Sequence, residues 1–194
     1  MITGAVAGPE RTPAPVRRHD PERRDRLVDV AIEVIAEHGV AGTTHRRIAA
    51  AADVPLGSLT YHFTGLEDLR AQAFTRHAAR MAAVYESHFA GVRTREELLD
   101  AVTDLVHGNA GADDRDWAVA YELHLAALRD PALREVTETW MRASRAVLER
   151  IVDPVTARGV DGLIEGLVMH KILSTGEPRR EETRQIVARV LDVR

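Results

Sequence analysis

The chain has 194 residues, 45% of them apolar, with no cysteine and a formal net charge of −4. Such a composition allows one or two globular domains with a real core, and the missing thiols exclude a disulfide framework or a thiolate metal site. No apolar run approaches the ~20 residues that cross a bilayer, and residues 1–21 lack the basic-then-apolar order of a signal peptide, so a cytoplasmic protein is expected.

The charge is uneven along the chain. Residues 1–65 carry eight Arg and eight acidic residues, whereas residues 66–194 carry 18 basic and 22 acidic ones. The N-terminal arginines cluster at Arg17, Arg18, Arg23, Arg24 and Arg26, then at Arg46 and Arg47. A local cluster can face phosphate although the whole chain repels it. Interleaved Asp20, Glu22 and Asp25 fit a solvated helix end equally well.

Residues 1–20, with Pro9, Pro13 and Pro15, read as a tail without its own core. Helical periodicity begins at Pro21, a good first helical residue, and Leu27, Val30, Ala31, Val34 and Ile35 form one apolar stripe. Gly39 suits the residue just past that helix. Thr43 or Thr44 can cap a short helix over 45–52, Asp53-Val54-Pro55 makes a tight turn, and 56–63 gives barely two more turns. Two short helices joined by such a turn have helix-turn-helix geometry.

Longer stripes follow: from Leu66 to about His88, then Leu98 to Val106, then Trp117 to Leu128 ahead of Pro131. Another runs from Leu133 to about Asp153, and two more cover 160–172 and 186–191. Strand-like alternation is absent, so the expectation is an all-α fold of roughly nine helices: a tail over 1–20, a DNA-binding domain over 21–65 and a larger helical domain over 66–194.

The run Gly39-Val40-Ala41-Gly42-Thr43-Thr44-His45-Arg46-Arg47-Ile48-Ala49, with Ala52, Val54, Gly57-Ser58-Leu59-Thr60-Tyr61-His62-Phe63 and Leu66-Glu67-Asp68-Leu69, resembles the TetR family of bacterial transcriptional regulators. The resemblance covers about residues 21–80. It implies that Thr44 and His45 meet phosphate at a helix N-terminus, that Arg46 reads a base, and that Gly57, Ser58 and Thr60 lie along the groove. Tyr61 and His62 would clamp the DNA backbone without specifying sequence. Leu56 stands where a polar residue is common, Asp53 where Gly is usual, and Thr60 where an aromatic is usual. Arg17 and Arg18 could enter a minor groove, while Arg47 reads better as a solvated charge.

The larger half is expected to sense a small, mostly apolar ligand. Trp117, Tyr121 and His124 share a face at i, i+4, i+7, and His107 and Trp140 join them as candidates for the pocket, against plain core packing. Gly162 and Gly166 permit close helix approach, and the resemblance implies a homodimer through Leu163, Gly166, Leu167, His170, Ile186 and Val190. The partners implied are a double-stranded DNA operator, a second copy and an effector; no cofactor and no metal site is expected. Two alternatives stay open: a metal-responsive regulator using His107 or His124, and a helical metalloenzyme. Against the latter stand the missing Glu-x-x-His pair, His-Glu-x-x-His run, phosphate loop and nucleophile motif. Repression is the family's commoner habit, so a ligand-released repressor is the expectation.

Overall fold

The computed structural model describes residues 22–176 and 179–193, and each regular element among them is a helix, nine in all. The expected tail over 1–20, with Arg17 and Arg18, and the expected first helical residue Pro21 lie outside the described residues. Helix α1 (Arg23–Gly42) buries Leu27, Ala31, Val34 and Ile35 of the stripe read from the sequence, with Val28 and Ile32 beside them, and leaves Val30 half-buried. At Gly39 the chain turns to φ 66° and ψ 175°, which breaks the helix before one last turn. The amide of Val40, freed by that break, donates to the Glu122 carboxylate of helix α6 (Asp114–Ala127) at 3.2 Å. From helix α4 (Leu66–Phe89), Arg70 donates to the carbonyls of Val40 and Thr43 at 2.9 Å each. The break is thus held on both its donor and its acceptor side.

Thr44 caps α2 (His45–Ala51), its side chain accepting from the Arg47 amide at 3.2 Å. The turn into α3 (Gly57–His62) passes through Asp53 at φ 50°. That is the left-handed region, which Asp enters more readily than most side chains. Ile48, Ala49, Leu59 and Phe63 are buried with the α1 stripe, so these six-to-seven-residue helices depend on packing for their stability.

Helix α4 (Leu66–Phe89) runs from this headpiece into the larger body and packs against α1, α6 and α7. The body adds α5 (Arg95–Val106), α6 (Asp114–Ala127), α7 (Pro131–Leu148), α8 (Pro154–Leu173) and α9 (Arg180–Leu191). Their starts are chemically explicit. Thr94 with Glu97 and Asp113 with Asp116 form capping boxes, while Asp130-Pro131 and Asp153-Pro154 put a cap before a proline. The stripe expected to reach about Asp153 leaves the helix at Leu148, and Val152 is buried in the turn that follows. No helix of the described residues is long and apolar enough to cross a membrane.

Where α4 meets the start of α6, His77 is fully buried and its Nε2–H donates to the Asp116 carbonyl at 2.9 Å. Its Nδ1 lies 3.4 Å from the Arg80 guanidinium, so the neutral ring fits both neighbours. Burial and then the Arg80 charge push its pKa down to about 4.

Two predictions follow from these contacts. A Cβ on residue 39 would sit 2.7 Å from Glu122 Oε1 at a φ that side chains disfavour. Gly39→Ala is therefore expected to destabilise the protein by ~1–3 kcal/mol in urea unfolding; an unchanged midpoint would mean the break is not rigid. The His77 ring should titrate near pH 4 by NMR, below the usual histidine range. Since the unfolded chain takes up this proton at higher pH than the fold does, the His77 contribution to stability is complete above about 6.5 and falls as pH drops towards about 4. An ordinary histidine titration would refute the neutral buried ring.

Candidate DNA interface and ligand chamber

The leading edge of the headpiece is built by burying one side of α3 and leaving the other bare. Leu59 and Phe63 anchor it inside, whereas Leu56 is 51% and Tyr61 82% exposed. Gly57 is exposed with open space where a Cβ would stand. Thr60 is exposed and donates to the Gly57 carbonyl at 3.1 Å, while Ser58 and His62 are half-buried. The His62 ring stands edge-on to Tyr61 at 4.9 Å between centroids. On α2, Thr44 and Arg46 are exposed and His45 is half-buried with its Nε2 lacking a partner. The neighbouring arginines differ: Arg47 turns back to the Gly42 carbonyl, whereas Arg46 meets no partner among the described residues.

In the body, the predicted ligand residues divide into two adjoining spaces. An enclosed cavity of about 20 Å³ is lined by Tyr85 of α4, Trp117 of α6, Trp140 and Met141 of α7, and Asp161 and Glu165 of α8. An outer pocket of about 420 Å³ is lined by Tyr121, His124, Met141, Gly162, Glu165 and Met169. Met141 and Glu165 line both, so they form the partition. Trp117 stands 6.1 Å from Tyr121, centroid to centroid, and His124 stacks on Trp140 at 5.5 Å and 19°. Tyr121 donates its hydroxyl to the Glu165 carbonyl at 2.9 Å. On the far side of Trp140, an apolar groove of about 310 Å³ separates alanines of α4 from α7.

His107 is not brought to this group. It ends α5 and contacts the Thr183 hydroxyl of α9 at 3.1 Å. Burial first, then the charges of Arg180 and Lys171, lower its pKa. Burial also lowers that of His124, whose Nε2 lacks a partner. Among the described residues no three His, Asp or Glu side chains converge as a metal shell would need.

Sequence reasoning missed the acids. Asp161 and Glu165 sit at i and i+4 on α8, on turns shared with Val160, Ile164 and Val168, all buried. Burial, then the Glu165 charge, pushes the Asp161 pKa up to about 6 against the pull of Arg145, and burial likewise raises that of Glu165. The signal available was two carboxylates set into the most apolar helix of the chain.

Of the residues expected at a dimer interface, Leu163, Gly166, Leu167 and Ile186 are half-buried within the chain, and His170 and Val190 are exposed. Beside them Val155, Met169 and Leu173 are exposed at 82%, 39% and 74%. A Cβ on Gly162 or Gly166 would meet nothing within 4 Å, so no intrachain packing requires these glycines.

A helix-turn-helix headpiece on a larger all-helical body defines a DNA-binding transcriptional regulator. Residues 27–73 match the family model of bacterial regulatory proteins of the tetR family, and residues 93–193 match the tetracyclin repressor-like C-terminal domain. The chain belongs to the TetR family. It is similar to SCO7518 from Streptomyces coelicolor A3(2), at 46% identity and a TM-score of 0.77, over 88% of this chain and 99% of that one. The multidrug binding protein EbrR complexed with ethidium is 36% identical with a TM-score of 0.71, over 87% and 98% of the two chains. Other EbrR structures hold proflavin and malachite green. The transcriptional repressor AcnR of Corynebacterium diphtheriae is 29% identical over 134 residues, 66% of this chain and 63% of its own.

Proposed function

We propose that this regulator is a homodimeric repressor released from its operator by a small aromatic ligand. The observation that carries the reading is the clamp at Gly39. Glu122, which holds the Val40 amide, is on α6 between the chamber residues Tyr121 and His124, so a shift of α6 by a ligand is passed directly to the break that carries the headpiece. A ligand acts this way only if it prefers the conformation whose two heads are wrongly spaced.

In this reading residues 21–65 are the DNA-binding domain and residues 66–194 sense the ligand and dimerise. The α2 N-terminus with Thr44 and His45 takes a phosphate, Arg46 reads a base, and Leu56 touches a thymine methyl. Gly57, Ser58 and Thr60 line the groove, and Tyr61 and His62 clamp the backbone. The exposure of Tyr61, 82%, supports this, since apart from its edge contact with His62 the ring is left bare. A second copy laid over the bare glycine face of α8 would supply the second head that an operator of two half-sites needs. It would also roof the outer pocket. The aromatic dyes bound by EbrR support an aromatic ligand here.

Two experiments test the reading. Arg46→Ala is expected to lose ~1–3 kcal/mol of specific binding with little change on random duplex, whereas His62→Ala weakens both alike. Equal losses for Arg46→Ala would remove its base-reading role. Leu173→Arg, at an exposed position, should keep the helical signal and thermal midpoint yet give monomers by light scattering and weak operator binding. An intact dimer would move the interface elsewhere.

A further inference from the structure

The cavity walls are largely aromatic and aliphatic, yet Tyr85, Ser144, Asp161 and Glu165 bring polar groups to them. Asp161 and Glu165 line the enclosed cavity together, and Tyr85 lines it opposite, 7% exposed, with a buried hydroxyl that has no hydrogen-bond partner. The Tyr85 hydroxyl feels both carboxylates, which add to burial in raising its pKa. One partly buried cation, Arg145, serves two acids: it stands 3.8 Å from Asp161, and among the described residues no donor meets the Glu165 carboxylate. Arg158 adds a weaker pull on Asp161 from an exposed position. A half-buried pair of carboxylates held by a single guanidinium disfavours full ionisation until another positive charge arrives.

We propose that the chamber selects an aromatic organic cation, its charge seated between Glu165 and Asp161 and its rings between Trp117, Trp140 and Tyr85. The inference rests on the ligand-sensing reading above and names the ligand class of that same site. Two carboxylates without a third ligand fall short of a hard-metal shell. The indole and phenol faces instead offer the π surface on which a delocalised cation gains most when desolvated. Size is met by joining the two spaces: the cavity of about 20 Å³ opens into the pocket of about 420 Å³ when Met141 moves, and an unbranched thioether is the side chain best able to do so. The Tyr85 hydroxyl is then free to accept a hydrogen bond from, or turn its oxygen towards, the bound cation.

The test compares N-methylacridinium, permanently charged, with acridone, uncharged on the same tricyclic frame, by calorimetric titration of the full-length protein. The wild type is expected to bind the cation more tightly than acridone. Glu165→Gln, isosteric with the protonated acid, should weaken the cation roughly tenfold and leave acridone unchanged. Asp161→Asn provides a second variant, and thermal melts confirm that each is folded. If the wild type binds both compounds equally and Glu165→Gln alters neither, the charge selection is overturned while ligand sensing stands. If the wild type binds neither, the ligand-sensing reading fails and takes this inference with it.

Discussion

The architecture turns on one interrupted helix. A straight α1 would satisfy its own backbone and carry α2 and α3 away at an angle set by α1 alone. Gly39 instead opens the chain, and the groups it frees are taken by two other helices, Glu122 from α6 and Arg70 from α4. The angle at which α3 leaves the body is therefore a property of three helices at once. Reading position is set where α1, α4 and α6 meet, not within the helix-turn-helix itself.

The second organising constraint is polar burial. Most of the body is packed aliphatic and aromatic surface, but His77, Tyr85, His124, Asp161 and Glu165 are buried or half-buried inside it. His77 is fully paired through the Asp116 carbonyl and Arg80, and its role is structural. Tyr85 and His124 each keep an unpartnered polar atom, and both line the chamber spaces. Unpaired buried polar atoms destabilise a fold, and they collect where a fold gives up stability for binding. The contrast between His77 and His124, two helical histidines with lowered pKa values, separates packing from site better than either pKa does.

Much of the fold could be read from residue patterns because its signals are local. Thr44, Asp130-Pro131, Asp153-Pro154 and the apolar stripes act within a turn or two of themselves, and the helices start within a few residues of where those signals stand. Asp53, noted as a departure from Gly, does occupy the left-handed region. The chamber was legible only in part. Trp117, Tyr121 and His124 do share a helix face, but α7 and α8 divide that face, giving Trp117 to one space and the other two to its neighbour. His107 carries the same chemical promise as His124 and ends up against α9, because α5 packs there. Asp161 and Glu165 at i, i+4 look like a solvated pair in one dimension. It is the packing of α6 and α7 against α8, with Tyr85 of α4 closing the cavity, that takes them partly out of water.

The contacts between headpiece and body are of two electrical kinds. The clamp at Gly39 is half-buried, with Arg70 only 15% exposed, whereas the flanking ties of α1 are surface ion pairs: Arg76 with Asp25 and Asp29, and Arg115 with Glu33. Mobile ions screen the second kind far more than the first. As ionic strength rises, these surface ties weaken first, while the half-buried clamp and the apolar packing of α1 against α4 and α6 persist. The same ions compete for the phosphates that such a headpiece would grip. Added salt would thus act on this molecule at two places, one of them the ties between α1 and its neighbours.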